Sequence, residues 1–221
     1  MRTELVIEAS ADRSPRIISS GGLSGRLTGP DTVHMIGTAA TPLGGDEMHI
    51  RVVVAARARL VVHSVAASVA LPSASNRESF AHWSFEVDEG GDLVFDPEPM
   101  IVAADAVHHT DTTIRFTSSS SVEFRERVQI GRSGESAGQW RASMRSDVDT
   151  RPHLRHRVEL GVGTTGHDAL NAPMALSSTL RYPDERAPDS SGHSLVRMPL
   201  AAGGSLTTCT GSRLDALPLM S

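Results

Sequence analysis

The sequence predicts an all-β fold in one domain over residues 1–221, and three observations lead to that prediction. Apolar and polar residues alternate in several segments, which is typical of strands with one buried face. Two further segments are rich in β-branched residues, which favour strands. Clusters of glycine, proline and aspartate separate these segments at roughly regular spacing. No short-period repeat is evident, and the chain is long enough to bury a sizeable core.

Five segments carry the strand patterns. In chain order, the two β-branched runs are residues 50–54 and 60–69, which predict central strands. The other three alternate with a period of two and cover residues 83–87, 122–130 and 154–160. Each of these three has one apolar and one polar face, as expected of half-buried strands.

The segment 122–130 has one irregularity on its apolar face. Val122, Phe124, Val128 and Ile130 share that face, and Glu126 is the single polar residue among them. The alternation still predicts a half-buried strand, because four of the five positions on this face are apolar.

Helix signals are few. Residues 214–220 predict a short helix that Pro218 interrupts, and residues 168–172 predict one helical turn before Pro173. The polar segment 184–192 predicts a long exposed loop.

Composition excludes several functions. All 21 basic residues are arginine, so a Schiff-base lysine and a phosphate-loop lysine are both impossible. The net charge of -5 argues against a nucleic-acid partner. A single cysteine, Cys209, and the absence of an apolar leader or membrane-length run make the cytoplasm the expected compartment, with no membrane partner.

One motif resembles a dinucleotide-binding fingerprint. Residues 161–166 read Gly-Val-Gly-Thr-Thr-Gly after a predicted strand. The fingerprint requires a following helix whose N-terminus holds the pyrophosphate, and Pro173 leaves little room for one. We therefore interpret the motif as a glycine-rich connection.

Histidines suggest a metal site only weakly. His108 and His109 are adjacent, and their side chains diverge on an extended chain. With Asp105 and Asp111 they could form a loose site for a borderline metal such as nickel or zinc. A solvated loop is the preferred interpretation of this segment.

Three acidic residues stand in constrained surroundings. Asp46 follows two glycines, Glu98 lies between two prolines that hold it extended, and Glu135 lies in a glycine-rich turn where it could pair with Arg132. Taken singly, each is best explained as a solvated charge in a turn.

Several segments together resemble the urease accessory protein family UreD, called UreH in some organisms. They are residues 37–46 (GTAATPLGGD), 95–101 (FDPEPMI), 131–135 (GRSGE), 140–141 (WR) and 151–157 (RPHLRHR). The third segment is similar to a Gly-Arg-x-x-x-Gly-Glu block of the family but is shorter here. The resemblance covers about residues 30–160, whereas the part past Gly161 carries little that matches. The arginine-rich, lysine-free composition resembles actinobacterial members.

The resemblance implies a superhelical β scaffold with few short helices and no enzymatic activity. It implies that the chain binds the urease apoprotein and UreF, and through UreF the GTPase UreG, and that it helps to deliver nickel to urease. No tightly bound cofactor is expected, only transient nickel. Asp46, Glu98, Arg132 and Glu135 are the candidate path or interface residues, and His108 and His109 are the candidate transient nickel contacts.

Two alternatives remain open at this point. One is an unrelated β-rich binding protein whose matches to UreD are coincidental. The other is a metal-dependent hydrolase that uses the histidine-rich segments.

Overall fold

The computed structural model describes residues 1–169, 171–190 and 195–218. Strands hold 59% of the chain and helices 4%, which confirms the prediction of a mainly β fold with few short helices. Within the described ranges, the strands form two sheets that pack face to face around a shared core.

The strands are numbered in chain order. The first sheet has seven: β1 (Arg2–Ser10), β2 (Arg13–Ser20), β5 (Glu47–Val54), β8 (Glu78–Val87), β11 (Val107–Phe116), β13 (Gln139–Val148) and β14 (Arg151–Leu160). The second has ten: β3 (Leu23–Leu27), β4 (Thr32–Gly37), β6 (Arg59–Ser64), β7 (Ser68–Ala70), β9 (Asp92–Asp96), β10 (Met100–Val102), β12 (Ser121–Ile130), β15 (Ala175–Tyr182), β16 (Leu195–Pro199) and β17 (Ser205–Gly211).

The centre of the molecule is a stack of coils. From β4 to β13 the chain passes back and forth between the sheets, so that β5, β8, β11 and β13 pair in parallel in the first sheet. Strands β4, β6, β9 and β12 do the same in the second sheet. Antiparallel strands flank both stacks. In the first sheet β1 pairs with β2, and in the second sheet β16 pairs with β17. This solenoid-like arrangement is the superhelical, layered scaffold that the resemblance implied.

All five predicted strands are present, and one of them is divided into two. Residues 60–69 form two strands, β6 and β7, because Val65 leaves the sheet and is 63% exposed. In β12 the predicted apolar face points into the core, with Val122, Phe124, Val128 and Ile130 buried.

Helices are limited to short pieces in the described part of the chain. The helix α1 is Thr165–Ala169, slightly earlier than predicted, and Leu214–Ala216 forms a single 3-10 turn. Residues 219–220 of the predicted C-terminal helix, and residues 191–192 of the predicted exposed loop, lie outside the described residues. The rest of that loop is not wholly exposed, because the Asp184 side chain is 3% accessible. None of the described helices has the length and apolar character to cross a bilayer.

The glycine-rich motif is a tight connection. Gly161 has a φ of +100°, and a Cβ there would lie 2.0 Å from the Gly138 carbonyl oxygen. The Thr164 hydroxyl donates a hydrogen bond to the Gly161 carbonyl at 2.8 Å, which closes the turn. The five-residue helix α1 that follows is too short to serve as a dinucleotide-binding helix.

The core consists of two apolar clusters. The larger contains the rings of Phe85, Phe95 and Phe124, whose centroids lie 4.8 to 5.2 Å apart. The smaller surrounds Trp140, which is fully buried. Residues of both clusters line one cavity, so the interior is not filled continuously between the sheets.

Candidate functional site

The cavity between the two clusters is the candidate functional site. Its volume is about 410 Å³, and side chains from both sheets line it. Seven exposed residues contribute to the lining, so the cavity reaches the surface on their side of the molecule. They lie at the end of β4 and in the connections that follow β4, β6 and β9: Gly37, Ala39, Ala40, Val65, Ala66, Ala67 and Glu98.

Glu126 is the acidic residue deepest in this arrangement. It occupies an inward position of β12, between the buried Phe124 and Val128, and lines the cavity. Burial raises the pKa of its carboxyl group to about 8, because the ionised form loses the solvation that water would give it. At neutral pH the carboxyl group is therefore mostly protonated.

His108 contributes an imidazole to the same cavity. Its side chain is 1% exposed, and its Nδ1 is hydrogen-bonded to the Ser79 hydroxyl at 2.9 Å. Its Nε2 is buried without a hydrogen-bond partner. Burial, and to a smaller extent His109, lowers the pKa of His108 to about 3, so the ring is neutral. A neutral imidazole with one nitrogen fixed and the other unpaired is suited to bind a borderline metal ion.

Two further polar features belong to this cavity. Thr110 accepts a hydrogen bond at 3.1 Å from Nε1 of Trp140, which fixes the indole in the wall. Glu98 lies at the exposed rim, where its backbone amide donates to the Ser64 hydroxyl at 2.9 Å. Of the acidic residues singled out from the sequence, Glu98 is the one that lines this cavity.

The side chains of the adjacent residues His108 and His109 point to opposite faces of the first sheet. The segment is not a solvated loop, as the sequence suggested, but the strand β11, because its inward residues fill the core. His109 points to the outer face, where its ring stacks on Phe80 at 4.6 Å and its Nε2 lies 3.6 Å from Glu78. His108 and His109 therefore cannot ligate one ion together.

Asp46 has a structural environment away from the cavity. It is 5% exposed, and its carboxylate contacts the N-terminal ammonium group and accepts hydrogen bonds at 2.9 Å from the Thr41 hydroxyl and the Leu43 amide. Burial would raise its pKa, but these donors outweigh burial and hold the pKa of Asp46 below its usual value. The side chain thus fixes the connection before β5 and has its polar atoms occupied.

Arg132 and Glu135 form the ion pair that the sequence suggested. The guanidinium Nε donates to Glu135 at 2.9 Å, and the backbone amides of Arg132 and Ala104 donate to the same carboxylate at 3.0 and 2.9 Å. Hydrogen bonds from the Arg132 side chain and then from these amides lower the pKa of Glu135 to about 2. The pair lines a second cavity, which shares Val69 with the first.

Sequence reasoning did not choose Glu126 as a site residue, although the signal was present. A charged residue on an otherwise apolar strand face points into the folded protein, and desolvation of a carboxyl group there is costly unless the group is paired or protonated. Ser79 carried no such signal, because its contact with His108 depends on the pairing of β8 with β11.

The fold and this cavity define the class of the protein as a β scaffold of stacked coils with a partly polar interior. The UreD urease accessory protein family matches residues 25–180, more than half of the chain. The chain belongs to this family. The match extends past Gly161, where the sequence had offered little resemblance.

Relatives from actinobacteria support the same assignment. The chain is 31% identical to urease accessory protein UreD 1 of Saccharopolyspora erythraea, over 87% of this chain and 76% of that protein. It is 33% identical to UreD of a Parafrankia species, over 90% of this chain and 74% of the relative. It is 32% identical to UreD of Streptomyces avermitilis, over 85% of this chain and 77% of that relative.

The names of these relatives designate accessory proteins rather than enzymes, which confirms the expectation of a non-enzymatic chain. The matches also remove the alternative of an unrelated β-rich protein, and the hydrolase alternative with it.

Proposed function

We propose that this chain is a nickel-insertion scaffold that binds the urease apoprotein and UreF, and through UreF the GTPase UreG. Nickel is the cargo of this complex, and the urease active site is its destination. The proposal sets the complex in the cytoplasm, the compartment expected for a chain with a single cysteine.

The observation that carries the proposal is the pair of unusual groups in the inner cavity. His108 offers an unpaired Nε2, and Glu126 offers a carboxyl group that burial keeps protonated. A divalent ion entering an apolar interior loses its hydration and needs replacement ligands, because desolvation of an ion costs several kcal/mol. Imidazole and carboxylate are ligands that nickel accepts.

The protonated state of Glu126 supports transient rather than permanent binding. A neutral carboxyl group has little affinity for a cation, so an ion must displace its proton to be bound there. Once the ion leaves, the proton returns to Glu126 and its carboxyl group is neutral again. Weak contact of this kind favours passage, whereas a set of ionised carboxylates would retain the ion.

The other predicted residues have different parts in the proposal. Glu98 lies at the rim, where an exposed carboxylate can attract a hydrated cation. Asp46, Arg132 and Glu135 have their charges occupied by neighbouring groups, so we assign them to the shape of the connections that meet partners rather than to ion contact.

Reconstituted nickel activation of apo-urease tests the proposal. Purified apo-urease, UreF and UreG are incubated with nickel, with or without this chain, and complex formation and urease activity are measured. We expect both the complex and the activation to require the chain. Full activation without the chain, with no complex formed, would contradict the scaffold role.

Two variants test the inner cavity within the same assay. His108→Gln and Glu126→Gln should form the complex but slow activation at limiting nickel, because each removes one inner ligand. Glu89→Gln is the matched control, since Glu89 is exposed in the turn between β8 and β9. Unchanged activation in both inner variants would contradict passage through this cavity while leaving the scaffold role intact.

A further inference from the structure

A second group of metal-binding side chains lies on the outer face of the first sheet. Glu47 and His49 of β5 and His82 of β8 each offer one ligand atom, and these atoms all lie within 4.8 Å of one another. Oε1 of Glu47 is 2.8 Å from Nε2 of His49 and 3.6 Å from Nε2 of His82. The two imidazole rings stack with their centroids 4.9 Å apart.

Strand geometry brings these residues together. His49 and His82 are direct partners in the parallel pairing of β5 with β8, and Glu47 is two residues before His49, hence on the same face. The same transverse row continues to Glu4 on one side and Asp111 on the other. Neighbouring strands are about 4.8 Å apart, so in-register side chains of a row are held close to each other.

The spacing of the three ligand atoms is compatible with a shared metal ion, although the shorter contact, between Glu47 and His49, is itself a hydrogen bond. Two ligands that are each about 2.1 Å from a tetrahedral ion are about 3.4 Å apart, and the two distances from Glu47 bracket this value. All three side chains are between 35% and 47% accessible, so small rotations can bring them to equal distances.

We propose that Glu47, His49 and His82 form a binding site for a borderline divalent cation, with Zn²⁺ as the reference ion. Two imidazoles and one carboxylate make a three-ligand set that leaves the remaining positions to water or to a donor from outside the chain. The proposal is independent of the inner cavity and of the partners assigned above.

The charges around the site are compatible with a cation. Arg51 lines the same surface depression, but its guanidinium pairs with Glu86 at 3.1 Å. Glu4 and Asp111 also line the depression and are paired with Arg2 and Arg145, and Arg115 adds a basic group.

The site is separate from the inner cavity because it lies on the opposite face of the same strands. Met48, Ile50 and Trp83 alternate with the ligands along β5 and β8, and all three point inward to line the cavity. A cation on the outer face therefore does not contact Glu126 or His108.

Calorimetric titration of the untagged 221-residue chain with Zn²⁺ tests the proposal. The variants are His82→Gln and Glu47→Gln, both on an accessible sheet face, and circular dichroism confirms that they are folded. His63→Gln is the matched control: His63 pairs with His34 across β6 and β4, at a ring distance of 5.4 Å, and no third ligand completes that pair among the described residues. Glu126→Gln is included to report on the inner cavity.

We expect the wild-type chain, His63→Gln and Glu126→Gln to bind one equivalent of Zn²⁺ with the same affinity. In His82→Gln and Glu47→Gln this affinity should fall by at least about tenfold, because each loses a direct ligand. Equal affinity in all variants would overturn the assignment. A loss confined to Glu126→Gln, or an equal loss in His63→Gln, would also overturn it.

Discussion

The buried carboxyl group of Glu126 makes folding stability depend on pH in a way that can be measured. Its pKa rises from 4.5 to about 8 on folding. Between these values the folded state holds a proton that the unfolded state has lost, so the stability contributed by this group is complete below pH 4.5 and is lost as the pH rises towards 8. One pKa unit corresponds to about 1.4 kcal/mol, and integration from pH 5 to pH 8 gives a loss of about 3 to 4 kcal/mol from this one group.

His108 acts in the opposite direction over a different window. Its pKa falls from 6.5 to about 3 on folding, chiefly through burial, so its contribution is present above pH 6.5 and is lost as the pH falls towards 3. Between pH 4.5 and 6.5 the two effects oppose each other. The wild-type protein should therefore show a plateau in this range and lose stability on the alkaline side because of Glu126.

The substitution Glu126→Gln isolates the effect of the carboxyl group. Glutamine has the shape of the protonated side chain but no titration, so the variant should keep its stability as the pH rises. Urea unfolding of wild type and variant at pH 5, 6, 7 and 8 gives the difference in the free energy of unfolding at each pH. We expect this difference to change by about 3 to 4 kcal/mol in favour of the variant between pH 5 and 8. A difference that stays constant over this range would refute the reasoning.

Two further pairs of substitutions test the packing of the scaffold. Gly161→Ala should lower the free energy of unfolding by more than about 3 kcal/mol, because the new Cβ meets the Gly138 carbonyl oxygen in a left-handed conformation. Gly134 also has a left-handed backbone conformation, but a Cβ there would meet no atom within 4 Å. Gly134→Ala should therefore lower the free energy of unfolding by only about 1 to 2 kcal/mol in the same urea unfolding experiment. Phe85→Ala should cost about 3 to 5 kcal/mol, because the ring is fully buried between two other phenylalanines. Phe80→Ala, at a residue that is 36% exposed, should cost about 1 kcal/mol or less, and equal losses at Phe85 and Phe80 would contradict the assigned core.

The sequence predicted individual strands because side-chain alternation is local. The inward positions of β12 were assigned correctly from the pattern of Val122, Phe124, Val128 and Ile130 alone. The stacking of the coils was not readable in the same way. Strands β5, β8, β11 and β13 begin 31, 29 and 32 residues apart, without a fixed spacing or a shared motif. Partner choice between strands is therefore set by contacts far apart in sequence.

The dependence on contacts far apart in sequence also explains which site residues could be predicted from the sequence. Glu135 and Arg132 are three residues apart, and their ion pair could be proposed from spacing. The fixed ring of His108 depends on Ser79, 29 residues away on another strand. Asp46 was singled out for its glycine-rich surroundings, but its role follows from donors at Thr41 and Leu43 that only the folded connection brings together.

Alternation along a strand also explains how the first sheet can contribute residues to both of the proposed metal sites, one on each of its faces. In β5 and β8 each outward ligand is next to an inward residue that lines the cavity, so none of the three outer ligands contributes to the inner site. The outer site has accessible imidazoles and an ionisable carboxylate, which favour retention of an ion. The inner site has a neutral imidazole and a protonated carboxyl group, which favour release. Both combine histidine with glutamate, and they differ in burial and in the number of imidazoles.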